Sequence, residues 1–200
     1  MLALMNKNII FALLTTLTLM GCATNTIEMV DTTKSVPISA TSYLKLAKAW
    51  PLKSQGTYLQ KVKATVRGEP YIFSVHLSLE NGKLEAIAFN DIYGRLYHLT
   101  WTPQKITWIA SDAVSEILHP ENIIADFLLT HLPFEDLKTM LDAAHVREEE
   151  SVENIRVIEK GSQILRRISR QKFLGYLWKK VTIQNPEIGY ELVIETVPLS

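Results

Sequence analysis

Residues 57–110 read as about five β-strands in succession, joined by short polar turns, and a chain with such a run has to fold around an antiparallel sheet. Tyr71, Phe73, Val75, Leu77 and Leu79 alternate with Ser74, His76, Ser78 and Glu80, the period-two pattern of a strand with one buried face. Asn81-Gly82 follows at once, the strongest short hairpin signal a sequence offers. Upstream, Tyr58, Val62, Ala64 and Val66 alternate with Lys61, Lys63 and Arg67, and residues 67–70 turn the chain. Downstream come strands over residues 84–89, 96–101 and 106–110, broken by Asn90-Asp91 with Gly94 and by Thr102-Pro103.

Beyond this meander the pattern changes. Pro120 and Glu121 suit the first turn of a helix, and Ile123, Ile124, Phe127 and Leu128 form an apolar stripe that Pro133 ends. A second short helix, carrying Leu137, runs from residue 134 to about residue 144. This pair is either a core plug or a lid over a cavity. Strands resume from residue 148, with turns at residues 159–162 and 185–189 and clear alternation at Val181 and Ile183 and at Tyr190, Leu192 and Ile194. The expected fold is mainly β (α+β), with about nine strands or more.

The N-terminus carries the other constraint. Lys7 precedes an apolar run over residues 9–20, which as a helix spans roughly 18 Å against roughly 30 Å of hydrocarbon. That length fits a signal peptide rather than a membrane span. It ends in Leu19-Met20-Gly21-Cys22, which resembles the bacterial lipobox, whose cysteine becomes the lipidated first residue of the mature protein. Cys22 is the chain's single cysteine, so no internal disulfide can form. The resemblance implies palmitate-type acylation, and Ala23 after the cysteine implies the outer membrane of a Gram-negative bacterium, facing the periplasm. The expected division is residues 1–21 as signal peptide, 22–40 as lipidated N-terminus and flexible tether, and 41–200 as one domain, opened by a short helix over residues 41–50.

Little else suggests chemistry. The formal net charge is zero, which argues against nucleic acid as a partner. The histidines lack the spacing of a zinc site on one helix, and there is no Gly-x-Ser-x-Gly elbow or phosphate loop. No metal, no cofactor and no catalytic residue is expected, and the chain is read as not an enzyme. His76 and His98 sit in strands and could approach each other across the sheet. Arg166 and Arg170 share one strand face with Ile164 and Ile168 and are expected on an outer sheet surface, and residues 148–150 as a solvated acidic loop.

A lipobox, a polar tether, a β-meander, an inserted helical pair and further strands resemble the Lol-type (LolA/LolB-like) lipoprotein carriers and receptors. More closely, Pro120 with Asn122-Ile123-Ile124-Ala125-Asp126-Phe127, then Leu132-Pro133, and Asn185-Pro186 with Gly189-Tyr190-Glu191-Leu192-Val193-Ile194 resemble a family of small outer-membrane lipoproteins associated with aryl polyene gene clusters. The resemblance implies an unclosed antiparallel β-barrel whose apolar cavity holds acyl chains. On such a barrel, alternation assigns the concave face to Val62, Val66, Phe73, Val75 and Leu77, joined by Trp108 and Ile183. Ile123, Ile124, Phe127, Leu128 and Leu137 form the lid. The expected function is binding or transfer of a lipid, acyl or aryl polyene-like molecule. The partners are the membrane through Cys22, a hydrophobic lipid-like ligand and a periplasmic carrier protein, and the chain is expected to be a monomer. The alternative is a non-catalytic periplasm-facing scaffold whose barrel is filled by its own side chains.

Overall fold

The computed structural model describes residues 26–31, 35–46, 55–115, 118–149, 153–175 and 177–199. The signal peptide and Cys22 lie outside the described residues. In chain order the elements are β1 (Thr26–Asp31), β2 (Ser35–Ser39), β3 (Ser42–Lys45), β4 (Gly56–Val66), β5 (Glu69–Glu80), β6 (Lys83–Asn90), β7 (Gly94–Trp101) and β8 (Lys105–Ala110). Then follow α1 (Asp112–Ser115), α2 (Pro120–His131), α3 (Phe134–Met140), β9 (Leu141–Asp142), β10 (His145–Glu149), β11 (Ile155–Lys160), β12 (Gln163–Phe173), β13 (Trp178–Asn185) and β14 (Tyr190–Pro198).

The main sheet is antiparallel throughout, with strand order β1-β8-β7-β6-β5-β4-β14-β13-β12-β11-β10, and its two ends do not pair, so the sheet is not closed. The alternation of the sequence explains each strand. In β5 the interior takes Val75, Leu77 and Leu79, and in β6 it takes Leu84, Ala86 and Ala88. Asn81 and Gly82 adopt the positive φ angles that the tight β5–β6 turn demands. Helix α2 shares one small pocket with β4, β5, β6 and β7 on one side and is hydrogen-bonded from β11, β12 and β14 on the other. Strands lie about 4.8 Å apart and a helix is about 10 Å wide. Strands so far apart in the order reach one helix only if the sheet curls around it, which makes an open half-barrel with α2 in its concavity. The core follows from this. Ile124, Ala125, Leu128 and Leu129 of α2 are fully buried against the inner faces of the strands.

Two expectations for the N-terminal region are corrected. The segment read as a tether carries β1, which pairs with β8 along six register positions, and β2, which buries Val36 and Ile38. The helix read over residues 41–50 is instead strand β3 from Ser42 to Lys45, with residues 47–50 outside the described residues. β2 and β3 form a hairpin that adds β9 as a third strand. Tyr43, Leu44 and Leu46 suit either period. Burial of Ser42 and Leu44 with Tyr43 outward selected the strand, because the hairpin closes over α2. The domain therefore takes in residues on the N-terminal side of residue 41.

Candidate functional site

The concave face is built from rungs, sets of register partners that point inward together. Tyr58, Leu77, Ala86, Leu99 and Trp108 make one rung. Gln60, Val75, Ala88, Tyr97 and Ala110 make the next. Strand β6 contributes alanine to both, so the floor of the concavity is shallowest in bulk along β6. A pocket lies there, between the rungs and the face of α2 that carries Ile123, Ile124 and Phe127. Its cavity volume is about 40 Å³, well under the roughly 300 Å³ at which small-molecule sites begin.

Among the residues read as cavity-lining, Val75 and Leu77 line this pocket, and so do Ile123, Ile124 and Phe127 of the expected lid. Val62, Trp108 and Ile183 are buried in the same core without lining the pocket. Phe73 and Val66 are half-buried. Leu128 and Leu137 are fully buried core residues. Gln60, Leu84, Ala86, Tyr97 and Leu99 line the pocket and were not anticipated. The inward alternation of β6 and β7, carried across from Val75, is the signal that would have found the last three.

The other side of α2 is polar. Arg166 is 2% exposed, and its Nε donates to Asp126 Oδ1 over 3.1 Å while Nη1 donates to the Ile38 carbonyl over 3.0 Å. The Tyr190 hydroxyl donates to Asp126 Oδ2 over 2.5 Å. Burial raises the Asp126 carboxyl, against the opposing pull of the Arg166 guanidinium and the Tyr190 hydroxyl. Nearer the helix C-terminus, Arg156 Nη1 donates to the carbonyls of Leu129 and Leu132 at 2.7 and 2.8 Å. These are carbonyls of the kind that a helix end leaves unpaired. Arg156 and Arg170 both hold Glu148 Oε1. Desolvation raises that carboxyl, but the hydrogen bonds from Arg170 and Arg156 prevail and hold it below its usual range. Desolvation, with Arg170 beside it, lowers Arg156 to about 10, so it remains charged near neutrality.

This corrects the outer-surface reading of Arg166 and Arg170. Both are buried beneath α2, where arginine is tolerated because each guanidinium meets a carboxylate and backbone carbonyls together. The acidic loop is corrected as well. Glu148 and Glu149 belong to β10 and accept from arginines, and Glu150 lies outside the described residues. His76 and His98 sit on either side of Ile87 in register, and His98 Nε2 lies 2.7 Å from Glu85 Oε1. Among the described residues, no group of three or more His, Cys, Asp or Glu is placed to hold a metal ion, and no helix is long and apolar enough to cross a membrane.

His131, in the last turn of α2, stacks on Phe127 at 4.7 Å between ring centroids, and its Nδ1 is buried without a hydrogen-bond partner among the described residues. Desolvation and the nearby Arg170 and Arg156 push its imidazole down to about 3. The folded chain therefore keeps His131 neutral over a range in which the unfolded chain protonates it, from its ordinary value of 6.5 downward. The stability this represents is present above that value and is lost as pH falls toward 3. His131→Leu should remove about 1–2 kcal/mol of the stability lost between neutral pH and about pH 4.5, after allowing for partial exposure. Urea midpoints at the two pH values check this, and an unchanged acid loss in the variant would refute it.

A family model described as "Protein of unknown function (DUF3261)" matches residues 57–198. Among solved structures, the chain is similar to a LolA superfamily protein from Nitrosomonas europaea, with TM-score 0.38 and 13% identity, covering 76% of this chain and 89% of that one. It is also similar to a candidate outer membrane lipoprotein-sorting protein domain from Vibrio parahaemolyticus, with TM-score 0.38 and 6% identity, covering 75% and 88%. A search of curated proteins gave no match.

Proposed function

The chain belongs to the DUF3261 family, and for this member we propose a non-catalytic binding protein that holds an acyl-type hydrophobic molecule beneath α2, the helix moving aside to admit it. The observation that carries the reading is the division of α2 into two unlike faces. Asp126 and the carbonyls of its C-terminal half are tied to β11, β12 and β14 by charged hydrogen bonds. Ile123, Ile124 and Phe127 face residues of β4, β5, β6 and β7 across a mainly apolar pocket. An acyl chain entering on that side exchanges one apolar contact for another, while the polar side serves as the hinge. Burying fourteen methylenes at about 0.8 kcal/mol each gives roughly 10 kcal/mol at most, enough for capture without a catalytic group. The small volume of the pocket supports the rival reading, a scaffold whose half-barrel is already filled.

Native mass spectrometry of the protein purified without detergent exchange decides between them. A retained acyl-type mass supports the carrier. An empty protein that also fails to bind an added tetradecanoyl probe ends that reading.

The finer points belong to the same proposal. Cys22 anchors the module by lipid to the outer membrane, facing the periplasm, where a carrier partner exchanges the ligand with it. The aryl polyene class of ligand enters only through the resemblance of residues 120–133 and 185–194. Incorporation of labelled palmitate should depend on Cys22, and continued labelling of Cys22→Ser would refute the anchor.

A further inference from the structure

The pocket beneath α2 is apolar except at two points, and both stand on the same rung of the sheet. Gln60 and Tyr97 are separated along that rung by Val75 and Ala88. Gln60 donates from Nε2 to Thr196 Oγ1 over 3.3 Å, which leaves its Oε1 an acceptor with no partner among the described residues. Tyr97 packs its ring on Trp108 at 4.9 Å between centroids, and its hydroxyl likewise has no hydrogen-bond partner among the described residues. Both residues are more than nine-tenths buried, and both line the pocket. Neither atom is among the fully buried side-chain atoms that lack a partner, so each keeps accessible surface and free hydrogen-bonding capacity.

The surroundings narrow what would satisfy them. None of the residues lining the pocket is charged, so a carboxylate or ammonium carried inside would be buried without a counter-charge. Burial pushes the Tyr97 phenol above its ordinary value, so the hydroxyl stays protonated and able to donate. One acceptor and one donor are therefore offered to a neutral group.

We propose that the ligand taken up beneath α2 is an acyl-type chain bearing a neutral hydroxyl group on the part that enters the pocket, and that Gln60 and Tyr97 are the residues that select for it. This deepens the binding reading above and rests on it. The hydroxyl donates to Gln60 Oε1 or accepts from the Tyr97 hydroxyl, whichever it reaches, while the remaining chain replaces the contacts of Ile123 and Phe127.

The test uses two probes of similar length and apolarity, tetradecan-1-ol and 1-chlorotetradecane, of which only the alcohol donates a hydrogen bond. Binding of each to the full chain is measured by native mass spectrometry. The alcohol should bind about fivefold to tenfold more tightly. Gln60→Leu and Tyr97→Phe should each reduce that preference and together remove it, the alcohol losing affinity relative to the chloroalkane. Both substitutions nearly conserve shape, and Tyr97→Phe alone suffices if the other destabilises the fold. Equal binding of the two probes by the wild type overturns the proposal and leaves the acyl-binding reading intact, as does a preference that survives both substitutions. Failure of the wild type to bind either probe removes the acyl-binding reading itself, and this proposal with it.

Discussion

Asp126→Ala should destabilise the folded chain by about 3–5 kcal/mol, the cost of leaving a buried charge without its partner. Arg166 is 2% exposed, and among the described residues the carboxylate it pairs with is that of Asp126. The substitution also strands the Tyr190 hydroxyl, which donates to the same side chain. The loss would spread beyond α2, because Arg166 holds the Ile38 carbonyl and so fastens the β2–β3 hairpin. Urea denaturation at neutral pH measures the effect. A loss under about 1 kcal/mol would mean that water reaches the pair and that the latch is much weaker than its burial implies. Replacing both partners, Asp126→Leu with Arg166→Met, should recover much of the loss, since a buried ion pair is often no more stabilising than the apolar pair that replaces it.

Phe127→Ala should have two effects of opposite sense. Truncating a fully buried phenylalanine costs about 3–5 kcal/mol, and Phe127 is half-buried, so a loss near 2 kcal/mol is expected. The same truncation enlarges the pocket on its α2 side. If α2 is a lid, the lost side chain is the group an acyl chain must displace, and binding of a tetradecanoyl probe should tighten by about tenfold or more while stability falls. In a filled core, stability falls with no gain in binding. Measuring the urea midpoint and probe affinity on this one variant separates the two. The direction of the affinity change is the deciding quantity.

The strands around this site were legible because their physics is local. Alternation at Tyr71 to Leu79 and the Asn81-Gly82 turn fix β5 and β6 and their register without help from the rest of the chain. The same alternation put Val75 and Leu77 on the pocket side. Helix α2 announced itself through Pro120 and a stripe at helical spacing. What stayed hidden depended on partners distant in sequence. Arg166 reads as a surface residue until Asp126 and Ile38 are brought to it. β2 reads as a polar tether until α2 covers Val36 and Ile38. Gln60 shares the parity of Tyr58 and Val62, so alternation turns it inward, but its partner Thr196 on β14 is distant in sequence.

The pairing of β4 with β14, along nine register positions, has a consequence for how the molecule is made. It joins the two halves of the sheet at its centre, using a strand near each end of the domain. Apart from β1, which pairs with the distant β8, each half is made of sequence-neighbouring strands that can pair as soon as their residues are available. Their union must close a loop on the order of 100 residues, at an entropic cost of about 4 kcal/mol that local pairs do not face. Until β14 arrives, β4 presents an unpaired edge, and so does β13. Such edges are templates for pairing between chains. Folding should therefore be slow and late-completing, as expected where long-range strand pairing dominates, and the half-assembled sheet is the species most in need of protection from its own kind.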